Sequence, residues 1–156
     1  MIDYADRPYR PCVGIVLKNT DGKIFVGQRI DNMVEAWQMP QGGIDDGETS
    51  IDAGFREMME EIGTNNATFV AEHSDWLDYD IPEDLANRLW NARFKGQTQK
   101  WLLFEFTGDD SDINIATEEP EFRAWKWAEP EGLPNLAVPF KRDVYLGVLA
   151  AFKDYL

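Results

Sequence analysis

Positive charge is what this sequence lacks most: 15 lysines and arginines face 29 aspartates and glutamates, a net −14 with the one histidine neutral. Bulk attraction to DNA or to an anionic membrane is not expected from such a chain, and any anionic ligand has to be held by local cations. Cysteine is nearly absent. Cys12 alone forms no internal disulfide framework and no multi-cysteine zinc site, which suits a reducing cytosol, and it reads as a small buried hydrophobe. No apolar stretch approaches the ~18 residues of a membrane span, and residues 1–11 hold no apolar leader segment, so a cytoplasmic protein with no membrane partner is expected. Repeats, low-complexity tracts and linkers are missing too, which leaves a single domain over residues 1–156.

What is present is the composition of a globular fold, 44% hydrophobic and 28% charged. A chain of this length buries about 68–70% of its unfolded surface. Residues 13–17, Val-Gly-Ile-Val-Leu, predict a buried strand, Asn19-Thr20-Asp21-Gly22 a hairpin turn, and residues 24–26 the return strand. A loop rich in Gly and Gln follows. Thr49 is a plausible N-cap, and Ile51, Phe55, Met58 and Ile62 recur at helical spacing up to Gly63. Residues 68–71, 76–79, 101–106 and 123–127 predict further strands, and 82–93 and 138–156 predict helices. Without a regular alternation, these elements point to a mixed-sheet α/β protein, either α+β or an α/β/α sandwich, rather than a doubly wound parallel one. Trp101, Phe104, Trp125 and Trp127 lie in strand-like runs and are expected in the core rather than on a base-stacking platform.

On the predicted helix, Glu57, Glu60 and Glu61 are related by i+3 and i+4 and share one side. Three like charges there destabilise the helix unless a cation lies among them, and Mg²⁺ is commonly held by one or two carboxylates plus substrate phosphates. The alternative is a solvated acidic face with Arg56 pairing Glu60 at i+4.

The neighbouring residues favour the first reading. Gly42, Glu48, Arg56, Glu57, Glu60, Glu61 and Gly63 reproduce the spacing G-x5-E-x7-R-E-U-x-E-E-x-G-U, with Met58 as the inner bulky aliphatic and Thr64 departing from the last one. A chance match of seven fixed positions in such a chain is on the order of one in a million at ordinary residue frequencies. The stretch 42–64 resembles the Nudix box. The likeness runs on through Tyr9-Arg10-Pro11, Trp37-Gln38-Met39-Pro40-Gln41-Gly42-Gly43, Gly96-Gln97-Thr98-Gln99-Lys100-Trp101, Pro120-Glu121-Phe122 and Phe140-Lys141-Arg142-Asp143. Together these resemble the bacterial RNA pyrophosphohydrolase branch of the Nudix hydrolases, which is also the dinucleoside polyphosphate hydrolase branch.

The resemblance implies an α/β/α sandwich and a metal-dependent hydrolase of phosphoanhydride bonds. It implies Glu57, Glu60, Glu61 and Glu121 as ligands of Mg²⁺ or Mn²⁺, several ions with substrate bound, and Glu57 as the base beside Arg56. Arg10 and Arg29 are implied as phosphate donors, with Tyr79 and Gln97 near the phosphates. Val138 and Phe140 would sandwich a purine, with Lys141 at its edge. Gly42, Gly43 and Glu48 would shape the loop before the helix. Three functions follow: pyrophosphate removal from 5′-triphosphorylated RNA, asymmetric cleavage of dinucleoside polyphosphates, or a non-catalytic nucleotide sensor. The first ranks ahead, although Arg29-Ile30-Asp31-Asn32 also resembles dinucleoside polyphosphate hydrolases, and Asp78 and Asp80 beside Tyr79 weaken long-range attraction of RNA.

Overall fold

Two long strands, β1 (Tyr9–Lys18) and β6 (Gly96–Phe106), run parallel through the middle of a seven-stranded mixed sheet. The computed structural model describes residues 2–31 and 35–156, so Asn32 lies outside the described residues. Around the central pair, β2 (Ile24–Arg29) and β7 (Phe122–Ala128) extend one side and β4 (Ala67–Glu72) the other, in the order β4-β6-β1-β2-β7. Two short strands widen the sheet at one end: β3 (Gln41–Gly43) pairs with β1, and β5 (Leu77–Asp80) pairs with β6, both antiparallel. The expected turn at residues 19–22 joins β1 to β2, with Gly22 at φ 79 and the Asn19 side chain accepting from the backbone of Asp21 and Lys23.

Alternation along β1 and β6 divides the core into two layers. Val13, Ile15 and Leu17 with Leu102 and Phe104 meet Ala53, Met58 and Ile62 of helix α1 (Ser50–Ile62). The intervening Val16, Trp101 and Leu103 meet Tyr145 and Val148 on the opposite side of the sheet. A helix therefore covers each face, as expected for the α/β/α sandwich. Helix α1 starts where Thr49 Oγ1 accepts from the Asp52 N–H at 3.1 Å and ends at Gly63 in the left-handed region, φ 73. Thr64, the departure from the aliphatic pattern, is buried, and its hydroxyl is satisfied by the Asn66 N–H at 3.1 Å. Cys12, Trp101 and Phe104 are buried, while Trp125 and Trp127 pack around Phe25 at the edge of the layer that α1 covers.

Three expectations are corrected. Residues 82–93 are not one helix: a single turn, α2 (Glu83–Ala86), gives way to a 3-10 turn in which Trp90, Asn91 and Ala92 all have positive φ. The chain has to deliver Lys95 to the Pro8 carbonyl at 3.1 Å before β6 begins, and this pairing overrides helical propensity. Residues 138–156 likewise split into a 3-10 turn at Pro139–Lys141 and helix α4 (Arg142–Ala151). The loop rich in Gly and Gln contains β3, and residues 133–136 form a short helix, α3 (Leu133–Leu136), that the periodicity does not reveal. No helix among the described residues is long and apolar enough to cross a membrane.

The contact between β1 and β6 is closed by Gly14, whose missing Cβ would lie in the Trp101 ring. Gly14→Ala is expected to destabilise the fold by about 1–3 kcal/mol, as overpacking of a filled core does. Urea unfolding of the variant checks it, and unchanged stability would refute the packing account.

Candidate active site

Helix α1 places Arg56 one residue before Glu57 and four before Glu60, and Arg56 uses that position to gather its surroundings. Its Nε and Nη2 donate to both oxygens of Glu48 at 2.8 Å. Nη2 also reaches the Gly43 carbonyl at 2.9 Å, and Nη1 donates to Glu57 at 2.9 Å and to Glu60 at 3.2 Å. The Arg56–Glu60 pair of the solvated-face reading thus forms, but as one arm of a larger fork. Paired in this bidentate way and accepting the Asp45 N–H, the Glu48 carboxyl is pulled down to about 2, and Arg56 is pushed above its ordinary range.

This hub stands beside a cleft of about 630 Å³. Its walls bring together Arg10, Arg29, Gly42, Gly43, Glu57, Glu60, Glu61, Tyr79, Gln97, Glu121, Val138, Phe140 and Lys141, all singled out in the sequence. Arg56 and Glu48 stand outside the lining and brace it. Gly42 and Gly43 leave room for these side chains: a Cβ on Gly42 would displace the Glu57 carboxyl, and one on Gly43 would lie 2.5 Å from Arg10 Nη2 and displace it.

Burial sets the acid–base character of the carboxylates. Glu57 is 9% exposed, and desolvation outweighs Arg56 to push its carboxyl up to about 7. Glu61 is 5% exposed and raised well above the usual range, first by burial and then by the neighbouring charges of Glu57 and Glu121. Its Oε2 is buried with no hydrogen-bond partner. Glu60 sits at the rim. Glu121 lies 3.4 Å from Arg29 Nη1, and the same arginine grips Asp31 at 2.7 and 2.8 Å. Among the described residues no group of three or more acidic, histidine or cysteine side chains forms a finished metal cage. A divalent cation nevertheless fits the donor set: hard oxygen ligands, like charges held close, and an orphaned buried carboxylate oxygen.

Cations and amides complete the walls. Arg10 donates to Cys12 Sγ at 3.4 Å, lies over the Trp90 ring at 5.2 Å, and makes no ion pair among the described residues. Lys141 is buried and hydrogen-bonded to Gln38 at 3.1 Å; burial, helped by Arg29, brings its ammonium down to about 7. Phe140 stacks on Tyr79 at 5.9 Å and 27°, and burial raises the Tyr79 phenol, which is hydrogen-bonded to Gln41. Gln99 donates to Gln41 and Gln97 at 2.7 and 2.8 Å and accepts from Trp101, tying the cleft floor to the core. Trp90, Arg88 and Leu89 also line the cleft. Sequence reasoning missed them because periodicity assigned them to a helix.

With this geometry in place, comparison with known proteins is informative. Residues 8–147 match the NUDIX domain family. The RNA pyrophosphohydrolase of Roseobacter denitrificans is 56% identical, covering 99% of this chain and 98% of its own length. That of Rhodospirillum rubrum is 57% identical, covering 97% and 91%. Among solved structures, the E. coli dihydroneopterin triphosphate pyrophosphohydrolase has a TM-score of 0.68 at 19% identity, covering 92% of this chain and 99% of that one. A C. elegans Ap4A hydrolase binary complex gives 0.62 at 18%, with the same coverage. These two likenesses are of fold alone.

The buried carboxyls make a pH signature. Because Glu57 is raised, the folded chain binds its proton more tightly than the unfolded chain does; that stabilisation is complete below the ordinary value of 4.5 and is lost as pH rises through about 7. Mg²⁺ held by the same carboxylates would compete with the proton. Its stabilisation of the protein should therefore be several degrees larger at pH 8 than at pH 6, at roughly 2–4 °C per kcal/mol for this size. Thermal melts with Mg²⁺ and with EDTA at both pH values check this; equal gains would count against it.

Proposed function

Because the chain belongs to the NUDIX domain family, we propose that its cleft removes pyrophosphate from the 5′ end of triphosphorylated RNA. It is a Nudix pyrophosphohydrolase, not a non-catalytic sensor. The observation that carries the substrate chemistry is the convergence on one cleft of two buried, like-charged carboxylates with arginines from separate strands. Near-full-length relatives named RNA pyrophosphohydrolase support RNA as the substrate.

In this reading Arg10 and Arg29 bind the polyphosphate, since their planar forks match phosphate oxygens. Arg29 is held by Asp31 and Glu121, and Arg10 by the Trp90 ring and Cys12, so both are oriented before substrate arrives. Divalent cations, Mg²⁺ or Mn²⁺, would be held by Glu57, Glu61 and Glu121 with Glu60 at the rim, and when bound they neutralise the phosphates and acidify water. Glu57 accepts the proton of the attacking water, while Arg56 fixes its other oxygen. Water adds in line to phosphorus, the phosphoanhydride bond breaks, and the products are 5′-monophosphorylated RNA and pyrophosphate. Val138 and Phe140 hold a purine, with the Lys141 ammonium at its edge; Tyr79 supports the Phe140 ring from behind, and Gln97 stands at the phosphate side of the floor.

The second reading is the same chemistry on dinucleoside polyphosphates, favoured by the exposed Asp78 and Asp80 beside Tyr79, which oppose a long polyanion. Comparing kcat/KM on triphosphorylated RNA and on diadenosine tetraphosphate under one metal condition tests the choice: RNA is expected to be the better substrate, and the reverse order would overturn it. Glu57→Gln is expected to cost at least about 100-fold in kcat with the melting temperature retained, as loss of a general base does. Substantial turnover by the folded variant would remove Glu57 from that role.

A further inference from the structure

In a chain of net charge −14, the twenty residues from Leu85 to Phe104 contain no acid and four cations, Arg88, Arg93, Lys95 and Lys100. None of the four makes an ion pair among the described residues, although the chain holds 29 carboxylate side chains. Two of them are instead anchored to backbone by one nitrogen only: Arg88 Nε donates to the Asp84 carbonyl and Arg93 Nε to the Trp90 carbonyl, each at 3.3 Å. The outer nitrogens of both exposed side chains are left for another acceptor.

These cations are continuous with the cleft. Arg93 lies over the Phe94 ring at 5.4 Å, Phe94 meets Trp90 edge to face at 5.9 Å, and Trp90 carries Arg10 at 5.2 Å. The result is an unbroken ladder of cation, ring, ring and cation that starts beside the catalytic carboxylates and runs outward, with Arg88 on the cleft wall next to it. Three consecutive non-glycine residues with positive φ, Trp90 to Ala92, hold Trp90 where it joins the two halves. Rings alternating with unpaired cations are what single-stranded nucleic acid requires, since bases stack on the rings and phosphates take the charges. A dinucleoside polyphosphate has no backbone to follow such a path.

We propose that Arg88, Arg93, Trp90 and Phe94 form a track for the RNA chain leaving the cleft, so that nucleotides beyond the first few add to affinity. This rests on RNA being the substrate. The test measures kcat/KM of wild type, Arg93→Gln and Arg93→Glu, at the rung of the track that lies outside the cleft lining, on three substrates: a 5′-triphosphorylated dinucleotide, a long single-stranded 5′-triphosphorylated RNA, and diadenosine tetraphosphate. Wild type should prefer the long RNA over the dinucleotide. Arg93→Glu should lose about 3- to 10-fold on the long RNA alone, and its salt dependence should flatten by about 0.7 in log–log slope, the value for one phosphate contact on a single strand. Arg93→Gln should fall between, with melting temperatures unchanged. Equal rates of wild type and variants on long RNA, or equal losses on all three substrates, would overturn the track while leaving the substrate reading intact. Wild type inactive on both RNAs but active on diadenosine tetraphosphate would overturn the substrate reading, and the track with it.

Discussion

One guanidinium holds the catalytic end of this molecule together. Arg56 is bonded to Glu48 in the loop before α1, to the Gly43 carbonyl of β3, and to Glu57 and Glu60 on its own helix. Remove it and these groups, with Asp45 at 3.6 Å, lose their common partner, and the carboxylates among them repel one another. A lysine could supply the charge but not the fork, because a bidentate grip on Glu48 leaves an ammonium with too little geometry for the other partners. The pattern of spacing in the sequence is in this sense the wiring of one side chain.

Arg56 does not reach Glu61, and that division matters. The carboxylates it touches are anchored, and Glu48 is held ionised. Glu61 is left buried, crowded by Glu57 and Glu121, with an oxygen that nothing satisfies. A buried carboxylate oxygen without a partner is costly in any protein, and the backbone of Gln41 relieves Glu61 only in part, so a divalent cation there would meet a donor it fits. The protein as a whole is strongly acidic, and among its cleft cations Arg29 is tied into ion pairs while others are kept out of them. Arg10, held by an indole ring and a thiol rather than by a carboxylate, is the clearest case.

How far the sequence disclosed all this depended on the kind of signal. Helix α1 was legible from cap to cap, since Thr49, Gly63 and the apolar spacing between them act locally. The strands were legible from their apolar runs, though β1 extends to Tyr9 because its pairing with β6 continues past the apolar stretch. The glutamates and glycines around the helix were legible as a fixed spacing, and the fold gathers Gly42, Gly43, Glu57, Glu60 and Glu61 along one cleft. What stayed hidden is set by tertiary contact. β3 is three residues without a branched side chain and exists only because β1 offers an edge. Residues 82–93 carry helical propensity that the return to Pro8 overrides, so Trp90 appeared to belong to a helix and its place beneath Arg10 left no trace in the pattern.

The parallel pairing at the centre of the sheet has a consequence for how the molecule comes into being. Tyr9 is opposite Gly96, 96 − 9 = 87 positions away in the chain, and the whole of β1 is matched at a similar separation. Contacts so distant close large loops before any of them is rewarded, which slows folding and leaves little partial structure along the way. Arg10 on β1 and Gln97 on β6 meet only when that loop has closed, and Phe140 arrives from still later in the chain. A chain emerging from the ribosome therefore presents the glutamates of α1 long before the rest of the cleft exists: the cleft is completed late, when the last quarter of the polypeptide, with Glu121 and Phe140, has been made.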